Sequence, residues 1–234
     1  MNDHTKLNFF ASTAEPCSYL DNRNAVSAFA NPHVDMDMRT YNELIQHGFR
    51  RSGSYVYRPH CPSCQECVSV RIPLKKQEFT RNEQRIMRRN SDFKVTCSKG
   101  RFRNEHFDLY RRYINSRHND GSMANPSKAD YHRFLICDWT DTMFIEFRLN
   151  KQLIAVAVSD ILSTGLSAVY TFFDPEYAVR SPGHLAILAQ IKEAQSRDLD
   201  YLYLGYWIEE CNKMSYKRRY NPLEGFINDQ WVLF

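Results

Sequence analysis

Residues 153–207 read LIAVAVSDILSTGLSAVYTFFDPEYAVRSPGHLAILAQIKEAQSRDLDYLYLGYW, and this stretch decides the fold. Leu153–Ser159 (LIAVAVS) and Leu166–Phe173 (LSAVYTFF) are apolar runs of strand length, separated by the turn-prone Ser163-Thr164-Gly165. Asp174-Pro175 closes the second run. Gly183–Arg197 (GHLAILAQIKEAQSR) then places Ile187, Ile191 and Ala194 at i, i+4, i+7, with Leu188 widening the stripe. Pro182 fits the start of that helix. Tyr201–Trp207 (YLYLGYW) comes next as a third, buried strand. Strand, strand, helix, strand in this order predicts an α+β layer with a helix covering the sheet.

Upstream, Thr40–His47 (TYNELIQH) reads as a helix, with Thr40 and Glu43 as a capping box and Gly48 at the C-terminal end. Arg103–Ser116 (RNEHFDLYRRYINS) is a second helix, with Phe107, Tyr110 and Ile114 on one face. Composition shifts near residue 100. The first part is rich in Arg, Asn and Cys, and the rest alternates apolar runs with turns. Two domains are expected on that basis, an N-terminal Cys/Arg-rich one over 1–100 and a C-terminal one over 101–234.

The bulk composition bounds the function classes. The chain has 234 residues, 43% hydrophobic and 25% charged, as expected for a globular protein with a core of ordinary size. A net charge of +4 permits an anionic partner without requiring one. No apolar run is long enough to span a bilayer, so no membrane partner is expected. MNDHTKLNFF lacks the pattern of a signal peptide. Seven cysteines, three of them crowded together, do not suggest a secreted disulfide framework, and reducing cytoplasm is the expected location.

Gly48–Pro73 (GFRRSGSYVYRPHCPSCQECVSVRIP) combines two signals. Cys61, Cys64 and Cys67 sit at C-x2-C-x2-C spacing. They can converge on zinc or on the corner of an iron–sulfur cluster if Cys17, or His60, supplies a fourth ligand. A second C-x2-C pair is missing, and four reduced structural thiols are the equal alternative. Cys97, Cys137 and Cys211 stand alone and read as packing thiols. The second signal is Arg50, Arg51, Arg58 and Arg71 interleaved with Tyr55 and Tyr57, which suits an anion.

Further cations extend this signal. Arg81–Asn90 (RNEQRIMRRN) places Arg81, Arg85, Arg88 and Arg89 along one side of a helix, where they can track phosphates without reading sequence. Lys213, Lys217, Arg218 and Arg219 form another basic block with Tyr216 and Tyr220, after the third strand. Arg180-Ser181-Pro182-Gly183-His184-Leu185 partly resembles the R-x-x-G-x-G/A loop with which acetyltransferases hold a pyrophosphate. Leu185 replaces the final small residue and Pro182 removes a donor, so coenzyme A is not expected. Walker, H-E-x-x-H, G-x-S-x-G and Rossmann fingerprints are all missing, which argues against kinase, metalloprotease, hydrolase and dehydrogenase chemistry.

Taken together, several segments resemble the aminoacyl-tRNA–protein transferase family. CSYLDN (Cys17–Asn22), YNELIQHGFRRSGSYVYRP (Tyr41–Pro59), CPSCQECVSVRIP (Cys61–Pro73) and RNEQRIMRRN are similar to its N-terminal half. YTFFDPEY (Tyr170–Tyr177) and YLYLGYWIEECNKMSYKRRYNPLEGF (Tyr201–Phe226) are similar to its C-terminal half. The compact length and C-x2-C-x2-C form resemble the bacterial, leucine-transferring branch. Leu20 stands where arginine-transferring relatives, linked to an iron–sulfur cluster, carry a second cysteine. The resemblance implies a mixed acetyltransferase-like (GNAT) sheet with helices in the C-terminal half, plus a small Cys-containing N-terminal region.

It also implies an activity: transfer of leucine from leucyl-tRNA to the α-amino group of proteins that begin with Asp or Glu, which creates a destabilising N-degron. The alternatives are an arginyl-tRNA donor with the same acceptors, a non-catalytic RNA-binding module with structural zinc, and a peptidoglycan-type aminoacyltransferase. The ester of a charged tRNA is already activated, so transfer itself requires no cofactor. An acidic acceptor needs a cation, with Arg50, Arg58 and Lys217 as candidates and Tyr57, Tyr170 or Tyr206 as orienting hydroxyls. The tRNA arm is assigned to Arg81, Arg85, Arg88, Arg89, Lys213, Arg218 and Arg219. Glu209, Asp174 and His184 are the candidate bases, with Tyr170 and Tyr206 as further catalytic candidates.

Overall fold

The computed structural model describes residues 7–117 and 124–234; the start of the MNDHTKLNFF stretch, residues 1–6, lies outside the described residues. The N-terminal region contributes strands β1 (Phe9–Ala11), β2 (Glu15–Pro16), β3 (Asn24–Ala25) and β4 (Ser27–Ala30), helix α1 (Met38–Gln46), and strands β5 (Arg50–Ser52) and β6 (Tyr55–Pro59). Then come β7 (Val68–Pro73), α2 (Arg81–Arg89), β8 (Lys94–Lys99), α3 (Asn104–Arg117) and α4 (Lys128–Leu135). The chain continues with β9 (Thr142–Leu149), β10 (Gln152–Ile161), β11 (Gly165–Phe173), α5 (Pro182–Ser196), β12 (Tyr201–Trp207), β13 (Glu224–Ile227) and β14 (Gln230–Leu233).

Eight strands form one mixed sheet in the order β14-β13-β7-β12-β11-β10-β9-β8. All pairs are antiparallel except β11 with β12. Side chains of β10 serve opposite cores, alternating from Ala155 onward after a bulge at Ile154. Ile154, Ala155 and Ala157 pack with Leu188 and Ile191 of α5, whereas Leu153, Val156 and Val158 pack with Tyr110 and Ile114 of α3. The predicted stripes on α3 and α5 are therefore the faces that clamp the sheet. This is the expected α+β architecture, a mixed sheet covered by helices.

Two local expectations change. Helix α1 begins at Met38, not Thr40, because Asp37 accepts the Thr40 N–H at 2.7 Å and is the true N-cap. The composition shift near residue 100 does not divide the sheets: β7 lies at the heart of the large sheet and β8 forms its edge. What remains N-terminal is a second sheet, β1-β4-β6-β5, with the small pair β2-β3.

One buried ion pair fastens the two sheets. Arg51 on β5 meets Asp160 on β10 through Nε at 2.5 Å and Nη2 at 2.7 Å, and both side chains are fully buried. Its remaining donors reach Gly53 O at 3.1 Å and Thr142 Oγ1 at 3.2 Å, and Thr142 itself donates to Asp160 at 2.8 Å. Every charge is thus paired and hydrogen-bonded, the condition under which a buried pair is tolerated. Arg51→Met strands Asp160 and should cost about 3–5 kcal/mol. That loss is read as a fall in the urea midpoint, and Arg51→Met/Asp160→Leu should recover much of it. An unchanged midpoint in the single variant would remove Arg51 from this role.

Candidate active site

The sheet opens where its two parallel strands part. β11 and β12 pair only over Gly165–Ser167 and Tyr201–Tyr203; beyond that, β12 stays with β7 while β11 stays with β10. Arg50 fills the mouth of this gap. It pairs with Tyr57 across β5 and β6, so the two side chains share a face, opposite to that of Arg51 and Val56. The Arg50 guanidinium donates to Val169 O of β11 at 3.2 Å and lies 5.8 Å from the Tyr206 ring of β12. Gly205 makes room for it: a Cβ there would sit 2.4 Å from Arg50 Nη1, and its φ of +74° favours glycine.

Lys217 approaches from the short 3₁₀ turn Ser215–Arg219 and is buried. Its Nζ donates to Tyr206 O and, at 3.4 Å, to Met214 S. Burial, with Arg50 adding to it, pushes the ammonium down to about 7. Tyr206, Tyr216, Cys67 and Cys211 are the other titratable neighbours. Among the described residues no carboxylate reaches Arg50 or Lys217, whereas surface arginines such as Arg39, Arg111, Arg133 and Arg197 each have an acidic partner. Two cations side by side without a counter-ion make a site for an anion.

The hydroxyls divide in role. Tyr57 packs edge-on to Tyr206 at 6.1 Å, and its hydroxyl has no partner among the described residues. The Tyr206 hydroxyl is already engaged with Gly48 O at 3.2 Å and Tyr57 O at 3.0 Å, so it holds the N-terminal sheet to β12. Its acidity is suppressed by burial. Tyr170 lies on the α3 face among Tyr110, Tyr113 and Phe134, again with burial suppressing its ionisation. Tyr19 and Tyr216 also border Arg50, and sequence reasoning did not single out either as a site residue.

Several sequence candidates fall elsewhere. Arg58 alternates with Tyr57 on β6 and so turns to the other face, over the Phe49 ring at 5.0 Å and donating to His47 O at 3.2 Å. It does not join Arg50. Asp174 is held by Arg112 at 3.1 Å and accepts the Glu176 N–H, leaving it no free role as a base. Glu209 is exposed in the turn after β12. His184 lies in the first turn of α5 with Nε2 unpartnered, and burial, then Arg219, lowers its pKa.

Helix α2 has the expected charge pattern. A Thr80–Glu83 capping box starts it, burying Glu83 and leaving Arg81, Arg85, Arg88 and Arg89 exposed. Arg85 bonds only Asn82, and Arg89 reaches Ser181 at the start of α5. Arg219 and Glu83 both influence His184 and Tyr220, so the basic end of the 3₁₀ turn meets α2 there. Arg218 and Arg219 point outward from the turn whose Lys217 points inward, and Lys213 is exposed before it.

Most of the cysteines gather in one small cluster beside the end of β12. Cys17, Cys64 and Cys67 pack with Cys211 around Leu20 and Ile208. Burial, reinforced by Cys17, Cys61 and Cys64, raises the Cys67 thiol to about 12. Cys61 Sγ exchanges contacts with the Val26 backbone, and Cys64 Sγ accepts from Arg23 at 3.1 Å. Among the described residues no group of three or more Cys, His, Asp or Glu is arranged as a metal site, while Cys17, Cys61 and Cys64 lie close enough to Cys67 to influence its thiol. His60, the other ligand candidate, is exposed.

Comparison with known proteins points one way. Residues 15–85 match the family described as arginine-tRNA-protein transferase, N terminus, and residues 105–227 match its C terminus. A protein of Saccharophagus degradans named aspartate/glutamate leucyltransferase is 48% identical over 100% of both chains. Relatives of the same name from Pseudomonas putida and Pseudomonas fluorescens are 48% and 47% identical, each over 99% of both chains. The Arg50 cradle carries its own expectation. Gly205→Ala should displace Arg50, lower stability by about 1–2 kcal/mol, and reduce affinity for a carboxylate-bearing ligand more than Gly183→Ala does.

Proposed function

The chain belongs to the aminoacyl-tRNA–protein transferase family, and on that basis we propose that it moves leucine from leucyl-tRNA to the α-amino group of proteins beginning with Asp or Glu. Full-length identity of 48% to proteins named aspartate/glutamate leucyltransferase carries this reading. The product begins with leucine, a destabilising N-degron. The neutral α-amine attacks the ester carbonyl, the C–N bond forms, and the C–O bond to the tRNA 3′ oxygen breaks. That oxygen takes the proton released by nitrogen. Since the ester is already activated, alignment and charge placement supply the catalysis and no cofactor is required.

The geometry supports a set of roles. Arg50 and Lys217 receive the acceptor's side-chain carboxylate, and the Tyr57 hydroxyl orients it. Arg81, Arg85, Arg88 and Arg89, with Lys213, Arg218 and Arg219, track the tRNA acceptor arm by phosphate contact. The turn Ser215–Arg219 serves both substrates, one side inward and the other outward. The chain acts in the cytoplasm, where charged tRNA and its protein acceptors meet.

The deciding experiment mixes the protein with charged leucyl-tRNA and an Asp-initiated peptide; if no leucine reaches the peptide, the reading is lost. Arg50→Ala should lower kcat/KM for that peptide by roughly 10²–10³-fold with tRNA binding intact. Arg58→Ala should change it less than about threefold, as an exposed charge does. Arg85→Ala and Arg88→Ala should weaken tRNA binding and flatten its salt dependence. Arginine outcompeting leucine in mixed charged tRNA would reassign the donor.

The pH profile has two limbs. Lys217 is charged below about 7, so KM for Asp peptides should be low there and rise as pH passes 7. The acceptor amine must be neutral, so kcat should rise through about 8. Lys217→Arg should remove the first limb and leave the second. Persistence of the KM limb in that variant would exclude Lys217 as its source.

A further inference from the structure

The gap between β11 and β12 leaves a run of backbone unpaired, and its orientation is fixed by the register. Asp174 N donates to Ile154 O at 2.8 Å, and Phe172 and Tyr170 stand opposite Val156 and Val158. Antiparallel pairs alternate between bonded and non-bonded, so Tyr170 and Phe172 bond β10. Thr171 and Phe173 then turn their N–H and C=O groups away from β10, into the gap. Val169 O points the same way, because it accepts from Arg50. Among the described residues Thr171 and Phe173 have no ladder partner on the β12 side, and Tyr170, Thr171 and Phe173 are only half-buried. A strand edge in the middle of a sheet is thus open to a ligand rather than to a neighbouring strand.

We propose that this edge of β11 binds the first residues of the acceptor protein as an added strand. The inference rests on the transferase reading and extends it to the part of the acceptor that its first side chain does not define. Acceptors share only an acidic first residue, so anything bound beyond that residue has to be common to all sequences. Main-chain N–H and C=O groups are the common feature, and an open strand edge is the surface that reads them. The placement also agrees with the charge. Arg50 marks the position of the first side chain at Val169, and Thr171 lies two residues on, about 7 Å along the strand.

Addition to a strand edge has a period of two, because successive residues of the added chain face the edge and then turn away. The test uses the intact protein, charged leucyl-tRNA and a series of Asp-initiated peptides. In each peptide one amide, at the second, third or fourth residue, is replaced by an ester, which deletes a single N–H. The expected result is a loss of roughly tenfold in kcat/KM at alternate positions, the scale of one hydrogen bond, with little change between them. A flat profile, or equal loss at all three positions, overturns the proposal. Failure of the all-amide parent to accept leucine would instead overturn the transferase reading. A photoreactive second residue should label the segment Ala168–Phe173; labelling of any other segment overturns the assignment to β11.

Discussion

The buried pair between Arg51 and Asp160 is the constraint on which the rest of the site depends. It joins a four-stranded N-terminal sheet to the large mixed sheet, and its cost is tolerable because both charges are paired and four of the five guanidinium N–H groups meet an acceptor. Fixing Arg51 fixes the face of β5. Its neighbour Arg50 must then point the other way, out of the core and into the gap between β11 and β12. The two adjacent arginines therefore have opposite fates. One is sealed among carboxylate, hydroxyl and carbonyl groups, and the other is offered to a ligand without an anion of its own.

The gap itself has a simple cause. Among the described residues β11 and β12 are the only parallel neighbours in the sheet, connected by α5, and they separate after three residues. β12 has another antiparallel partner in β7, and β11 has one in β10, so neither depends on the other for its ladder. Gly205 lets an arginine stand where a side chain would have closed the opening. Tyr206 holds the arrangement through its hydroxyl, which is shared between Gly48 O in the turn before β5 and Tyr57 O on β6.

Much of this was legible in the sequence. The runs at 153–159, 166–173 and 201–207 and the stripes on α3 and α5 are strong periodic signals, and they form the elements they predict. Thr142–Leu149 was harder to read, since Glu146 and Arg148 interrupt its apolar pattern; Glu146 is buried against Arg103 and His106, a pairing that only the folded chain reveals. At the site, local sequence grouped Arg50, Arg51 and Arg58 as one cationic cluster. Strand alternation separates them, but which face meets the gap depends on contacts more than a hundred residues away. The cysteines show the same limit. Their spacing brings the thiols together, but only the folded chain reveals their other partners, the Val26 backbone for Cys61 and Arg23 for Cys64.

Division of labour within the site reflects the features an acceptor can offer. A first-residue carboxylate is a single strong feature, and a pair of cations without a counter-ion discriminates it sharply, because a neutral residue would leave both charges desolvated and unpaired. The rest of the acceptor is variable, and side-chain pockets would exclude most of its sequences. A surface made of main-chain groups has no such preference. In the proposed reading, charge selects the first residue and the open backbone edge of β11 receives the residues after it. The strand that parts from β12 links the two, since the carbonyl that steadies Arg50 and the edge beyond it belong to the same β11.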